Sequence, residues 1–341
     1  MKENLQTTSQ IIPYPKRKKL FSKEFHVLYH ILENSQKFLL VAHSYPDSDT
    51  LGSNVALYHF LKNAHKEVLI SCTHKTPDEL THLYPNISLI HPEEINISYY
   101  DVIIACDSVD RGYSKYIHPY VNTEKQITIL IDHHPDIHTQ GDVTLIDPTA
   151  SSVCEILSTF FSTKKIEITS EMATALLSGI LGDTGSLQHT NTTKHVLKIT
   201  SELLRKGAYL GKISANMYAN KNLDTLRLWG KALENATVYE NAKMILSGIT
   251  HNELSECNAK AEDISHIANM LATVPGIQFS LILAQYDENT IKGSFRAEPE
   301  MNDSIDLSLL ARKLGGGGHR LASGFTLNGK LIRTETGWLV E

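Results

Sequence analysis

KFLLVAHSYPDSDTLGS (37–53) opens on a short run of apolar residues and closes on His43, Asp47 and Asp49. Residues 38–42 are apolar on both alternations, which suits a strand buried on its two faces. The amphipathic stretch from Leu51 to Leu61 that follows is long enough for a crossover helix. Three further runs of the same kind lie downstream: EVLISCT (67–73), DVIIACD (101–107) and ITILIDHH (127–134). Continuous apolar runs separated by helical stretches predict an α/β fold with a parallel sheet covered by helices on both faces.

The ends of these runs carry the chemistry. The first ends in His43 with Asp47 and Asp49 close behind, the third in Asp107, and the fourth in Asp132, His133 and His134. In an open parallel sheet the carboxyl ends of the strands face one crevice, where ligands bind. A single Asp after a strand is ordinarily a turn or capping residue; three strand ends carrying imidazoles as well are not explained that way. Asp183, in GILGDTG, is expected just past the end of a helix that stops at Gly182. The dipole there is negative, and an aspartate is disfavoured unless a cation reverses the sign.

Together these positions put five carboxylates and three imidazoles in one crevice, a set that cannot all stay ionised without positive charge between them. Oxygen-rich ligands with imidazoles and no sulfur suit Mn²⁺, with Mg²⁺ or Co²⁺ as alternatives. The donors outnumber the needs of one ion, so a pair of ions is expected. Such a pair activates water and clamps the oxygens of an in-line displacement at phosphorus.

Composition narrows the classes. The 341 residues are 41% hydrophobic, enough for about two domains. With 32 lysines and arginines against 38 acidic residues, the net charge of −6 excludes a broad cationic surface for long duplex nucleic acid. No apolar run is long enough to span a membrane. The basic cluster Lys16–Lys19 has no apolar segment behind it, so it reads as a solvated arm and not a secretory signal. Cys72, Cys106, Cys154 and Cys257 lie far apart with no CxxC pair. That pattern favours a reducing, cytoplasmic setting. Most of the 17 histidines have no chemical neighbours in sequence and read as surface or packing residues.

The chain turns helical after Asp147-Pro148, with Asp147 and Glu155 expected as caps of a helix beginning near Ser151-Ser152. Strand signals return at MILSGIT (244–250), QFSLILAQYD (278–287), IKGSFRA (291–297) and SGFTLN (323–328). The expected organisation is a flexible arm (1–21), a catalytic α/β domain (22–210), a helical linker (211–240) and a smaller α+β domain with a mixed sheet (241–341). In LGGGGHRLASG (314–324) the glycines let successive N–H groups turn toward an anion. Arg296, a short strand upstream, suits bidentate phosphate contact.

HSYPDSDTLGS (43–53), Cys106-Asp107, Asp132-His133-His134 and GDT (182–184) resemble, in order, the four motifs of the DHH phosphoesterase family. LGGGGHRLASG resembles the signature of the DHH-associated C-terminal domain. The family includes RecJ-like exonucleases, nanoRNases that also hydrolyse 3′-phosphoadenosine 5′-phosphate (PAP), cyclic-dinucleotide phosphodiesterases and polyphosphatases. The resemblance implies that His43 and Asp47 hold one metal, that Asp49, His133 and Asp183 hold the other, and that Asp107 bridges them. It also implies that His134 faces the scissile phosphate, that Asp132 orients its neighbours, and that the active site lies in the cleft between the domains. Arg296, Gly316, Gly317, Gly318 and His319 would grip a non-scissile phosphate.

Size and architecture resemble the stand-alone nanoRNase and PAP-phosphatase subgroup, implying exonucleolytic release of mononucleotides from very short oligonucleotides. A cyclic or linear dinucleotide phosphodiesterase and an exopolyphosphatase are the alternatives, with a non-catalytic nucleotide sensor behind them. A homodimer is an open expectation. Three departures stand out: Ser48 where the family usually has Gly, Thr50-Leu51 in place of a common Ala-Ile, and Ala297 where Ser is frequent. None removes a ligand.

Overall fold

The computed structural model describes residues 21–135, 137–215, 222–259, 264–297, 305–334 and 337–341. The chain divides into two compact units, with the boundary between residues 220 and 221. The basic cluster Lys16–Lys19 lies outside the described residues.

The first unit is built on a six-stranded sheet of β1 (Lys37–Val41), β2 (Glu67–Ser71), β3 (Leu89–Ile90), β4 (Val102–Cys106), β5 (Ile127–Asp132) and β6 (Val143–Ile146). Their order is β3-β2-β1-β4-β5-β6 and every pairing is parallel. Alternate strand residues enter two cores. Phe38, Leu40, Ile104, Ile129 and Ile131 pack on one face, while Leu39, Val41, Ile103, Ala105 and Leu130 pack on the other. Burial on both faces is why these strands read as unbroken apolar runs. β3 and β6 have shorter, mixed sequences at the sheet edges and carry no such signal.

The long helices of this unit are α1 (Ser22–Asn34), α2 (Ser48–Asn63), α3 (Val153–Thr163), α4 (Ser170–Asp183) and α5 (Lys194–Arg205). Four of them start where a short polar side chain accepts a first-turn N–H: Asp47 for α2, Ser152 for α3, Thr169 for α4 and Thr193 for α5. The α3 cap is therefore Ser152, not Asp147 or Glu155. Asp147 instead holds the Thr149 N–H and hydroxyl in the preceding turn, and Glu155 accepts the Ser151 N–H at 2.6 Å. α4 also runs one residue further than the glycine suggested, because Thr184 returns both its N–H and its hydroxyl to the Ile180 carbonyl. Asp183 is thus the last helical residue.

The second unit carries α6 (Leu223–Glu234), β7 (Thr237–Tyr239), β8 (Met244–Ile249), α7 (His251–Glu256), α8 (Ser265–Ala272), β9 (Phe279–Gln285), β10 (Thr290–Arg296), α9 (Leu307–Lys313), β11 (Gly317–His319), β12 (Ala322–Asn328), β13 (Leu331–Thr334) and β14 (Gly337–Val340). Its main sheet is mixed, in the order β11-β12-β10-β9-β8-β7, with β8 and β9 parallel and the other pairs antiparallel. Ile249, Ile267 and Ile282 lie in one core, and Phe295, Leu307 and Phe325 in another. Among the described residues no helix is long and apolar enough to cross a membrane.

Candidate active site

The strand order of the first sheet reverses between β1 and β4, and the crevice of an open parallel sheet lies at that switch point. β1 delivers His43 there, β4 delivers Asp107, and β5 ends in Asp132 followed by His133 and His134. Asp107 sits in the left-handed backbone region at φ +54°. That conformation is uncommon for a residue with a Cβ, and it turns the carboxylate off the line of β4. Asp47 and Asp49 open α2. Asp47 has two jobs, since its Oδ1 accepts the N–H groups of Asp49 and Thr50 while its Oδ2 faces His43 Nε2 at 3.6 Å.

Asp49 joins Asp183 because two helices approach without side chains between them. A Cβ on Gly52 of α2 would lie 2.4 Å from the Ala175 carbonyl of α4. One on Gly179 of α4 would lie 2.8 Å from Asp49 Oδ1. Only glycine allows that contact.

Three groups of potential ligand atoms fall within 4.8 Å of one another: His43, Asp47 and Asp107; Asp49, His133 and Asp183; and Asp107, His133 and His134. Asp107 joins the first group to the third through separate oxygens. Its Oδ2 lies 3.6 Å from His43 Nε2, while its Oδ1 lies 3.7 Å from His133 Nε2 and 3.4 Å from His134 Nδ1. His133 Nε2 is also 3.3 Å from Asp183 Oδ2. All six residues expected as metal ligands are therefore brought together, with Asp132 and His134 beside them.

The donor set fits divalent cations. His43 is 3% exposed, and its Nδ1 is 2.6 Å from the Ser44 carbonyl. That contact places the ring proton on Nδ1 and leaves Nε2 with a lone pair. His43 Nε2 and Asp107 Oδ1 are both buried without a hydrogen-bond partner, and such atoms carry a desolvation cost that an ion removes. The donors are oxygen and imidazole nitrogen with no thiolate, the set that suits Mn²⁺ or Mg²⁺.

Electrostatics point the same way. Burial, then the charges of Asp107 and Asp47, push the Asp49 carboxyl well above its usual range. Burial followed by Asp49, Asp47 and Asp107 does the same to Asp183, and burial followed by Asp47 raises Asp107. Asp47 is the exception. Desolvation acts upward, but the neighbouring His43, whose Nε2 lies 3.6 Å from Oδ2, outweighs it and holds the carboxyl well below its usual range. Burial lowers His43, yet Asp47 outweighs it and the net shift is upward. His133 is lowered by burial. A crowded acidic pocket of this kind strains toward protonation unless cations enter it.

Neighbouring groups fix the donors in place. Both Asp49 oxygens accept N–H groups from the start of α3, Oδ2 from Val153 at 2.7 Å and Oδ1 from Cys154 at 2.9 Å. Asp132 Oδ1 accepts the His133 and His134 N–H groups and lies 2.7 Å from His134 Nδ1. Burial opposes ionisation of Asp132, but His134 outweighs it and lowers its pKa; the same pairing raises His134 against its own burial. Asn191 donates to the Asp183 carbonyl at 3.1 Å, and His189 Nδ1 lies 3.3 Å from it. Arg111 Nη2 sits 3.2 Å from His134 Nε2 and 3.7 Å from Asp107 Oδ1. The amides of Val153 and Cys154 left no trace in composition or spacing, and the Thr50 hydroxyl, 2.6 Å from Asp107 Oδ2, showed only as a departure within the first motif.

In the second unit, Arg296 of β10 and His319 of β11 are both registered on Ala322 of the intervening β12. The Arg296 guanidinium donates to the Phe295 carbonyl at 2.7 Å, and burial lowers its pKa. β11 lies against β12 so tightly that a Cβ on Gly318 would be 2.7 Å from the Ala322 carbonyl, and one on Gly316, just before the strand, 2.0 Å from the Gly324 carbonyl. Gly318 has φ +132°, a region natural only to glycine. The His319 side chain lies outside the described residues.

Similarity to known proteins agrees with this geometry. Residues 37–180 match the DHH family, N-terminal domain, and residues 241–334 match the DHHA1 domain. The chain is 28% identical over 295 residues to the bifunctional oligoribonuclease and PAP phosphatase NrnA of Bacillus subtilis, covering 85% of this chain and 88% of that one. An exopolyphosphatase-related protein from Bacteroides fragilis superposes with a TM-score of 0.80 at 25% identity, over 89% of this chain and 91% of that one. RecJ from Thermus thermophilus, solved with Mn²⁺, shares the fold, with a TM-score of 0.52 and 14% identity over 89% of this chain and 51% of that one. With a DHH domain built around the acidic crevice and a DHHA1 domain after it, the chain is a phosphoesterase of the DHH type, a hydrolase of phosphate esters.

Proposed function

We propose that this enzyme is a metal-dependent phosphodiesterase that degrades very short oligonucleotides from one end to mononucleotides, and that it hydrolyses PAP in the same site. The observation that carries the reading is the convergence of His43, Asp47, Asp49, Asp107, His133 and Asp183, with His43 Nε2 and Asp107 Oδ1 buried and unpartnered. The activities named for the Bacillus subtilis relative support the substrate class. The imidazole-bearing donor set and the Mn²⁺ of the RecJ structure support manganese.

In this reading His43 and Asp47 hold one ion, Asp49, His133 and Asp183 the other, and Asp107 is shared. When bound, such a pair supplies Lewis acidity that makes water a stronger acid, and positive charge that screens the phosphate oxygens. His134 faces the scissile phosphate. Asp132 accepts the Nδ1–H and fixes the ring, so that Nε2 is left to accept from the Arg111 guanidinium, which supplies the positive charge at that edge. Arg296, the amides of Gly316, Gly317 and Gly318, and His319 grip a non-scissile phosphate, which limits substrates to short chains. The proposed setting is a cytoplasmic homodimer; all four cysteines are free and buried, as suits a reducing compartment.

The likeness to the exopolyphosphatase-related protein of Bacteroides fragilis favours a second reading, hydrolysis of polyphosphate. An assay with Mn²⁺ of dinucleotide, pentanucleotide, a long oligonucleotide, PAP, cyclic di-AMP and polyphosphate separates the two. The short oligonucleotides and PAP are expected to turn over fastest. Polyphosphate or cyclic di-AMP outrunning both replaces the proposal.

A further inference from the structure

We propose that Thr50 is a positioning residue for Asp107, and that its hydroxyl sets which carboxylate oxygen faces each half of the metal centre. The inference rests on the two-metal reading above.

Thr50 lies in the first turn of α2, where its N–H is fixed by the Asp47 cap at 2.9 Å. Its Oγ1 donates to Asp107 Oδ2 at 2.6 Å, and the two residues are 0% and 2% exposed. That length is typical of a hydroxyl bonded to an ionised carboxylate, one of the stronger hydrogen bonds in proteins. A carboxylate oxygen has two lone-pair directions. Thr50 takes one on Oδ2, and the other is left for the His43 side, whose Nε2 is 3.6 Å away. Oδ1 keeps both, and it faces His133, His134 and Arg111 at 3.7, 3.4 and 3.7 Å.

The backbone cannot impose this orientation. Asp107 follows the end of β4 with φ +54°, and the terminal torsion of an Asp side chain is broad. Without the hydroxyl, the carboxylate is free to swing both oxygens toward Arg111 and His134, which would empty the His43 side of its shared ligand. Groups that orient a metal ligand through one hydrogen bond typically change metal affinity or activity about 10–100-fold when removed.

The test uses the full chain as wild type, Thr50→Ser, Thr50→Val and Thr50→Ala, titrated with MnCl₂ and followed by electron paramagnetic resonance. Melting in EDTA establishes which variants fold. Wild type and Thr50→Ser are expected to bind two Mn²⁺ with an exchange-coupled signal. Thr50→Val is expected to bind at least about 10-fold more weakly and to lose the coupling; Thr50→Ala is read in its place if the valine variant is unfolded. Wild-type affinity and coupling in the variant lacking the hydroxyl overturns the inference, and so does equal loss in Thr50→Ser, since packing would then be the cause. Failure of the wild type to bind Mn²⁺ overturns the metal reading and this inference with it, whereas binding by wild type with no effect of the substitution overturns this inference alone.

Discussion

The Cys154 N–H donates to Asp49 Oδ1 at 2.9 Å across 105 residues of sequence. With the Val153 N–H on the other oxygen, the first turn of α3 holds a proposed metal ligand that α2 supplies. The positive end of a helix dipole is a natural seat for a carboxylate. It keeps Asp49 in place when no cation is near.

That seat depends on Gly179. A Cβ there would meet Cys154 Sγ at 2.3 Å and Asp49 Oδ1 at 2.8 Å. Gly179→Ala is expected to destabilise the first unit by about 1–3 kcal/mol, as overpacking does, and to weaken Mn²⁺ binding. Gly230→Ala is the contrasting case: a Cβ there meets nothing within 4 Å. Being mid-helix in α6, it should gain up to about 1 kcal/mol. Thermal melts of both variants check the pair; equal melting temperatures would refute the packing argument.

Asp107→Asn keeps an oxygen for the Thr50 hydroxyl and removes one negative charge from the crowded crevice. The variant is expected to lose hydrolysis with Mn²⁺ present while melting no lower than wild type in EDTA. Mn²⁺ should raise the wild-type melting temperature in a concentration-dependent way, because a ligand that binds only the folded state stabilises it. The rise should be smaller in the variant. Retained activity with Mn²⁺ would exclude a shared role for Asp107.

Glu253 predicts a pH effect in the second unit, which holds none of the proposed metal ligands. It accepts the Thr250 N–H and hydroxyl, each at 2.9 Å, in a reciprocal capping box at the start of α7, and Asn235 donates to it at 2.9 Å. Burial acts upward on its pKa, but the Asn235 and Thr250 hydrogen bonds outweigh it and the net shift is downward. A carboxyl lowered on folding stabilises above its unfolded value, near 4.5, and the gain fades as pH falls through the lowered folded value. Glu253→Gln should therefore cost about 1 kcal/mol near neutral pH, and the gap should narrow in acid. Urea melts of both proteins at neutral and acidic pH test this; a gap that widens in acid contradicts it.

Arg296→Ala is expected to raise KM about 10-fold or more for a short oligonucleotide while kcat holds, as when uniform binding is lost. Steady-state kinetics at saturating substrate decide the point. A collapse of kcat with KM unchanged would assign Arg296 to the chemical step.

Much of this was legible in the sequence, for a physical reason. Residues at strand ends can be located from local pattern alone, because strands buried on two faces announce their length and their last residue. His43, Asp107 and Asp132-His133-His134 were found that way. Edge strands β3 and β6 went unread because a strand covered less fully needs no unbroken apolar run. The extent of α4 was missed by one residue, since the capping by Thr184 depends on a hydroxyl rotamer that residue order does not encode.

By itself, then, the sequence determined the parallel α/β architecture and the residues that meet at the strand ends, because each is set by local periodicity. Only the tertiary structure decided which groups support them. The amides of α3 on Asp49, the Thr50 hydroxyl on Asp107 and the glycine-spaced approach of α2 to α4 all join segments far apart in the chain. Contacts of that kind arise from packing, which no single stretch of sequence contains.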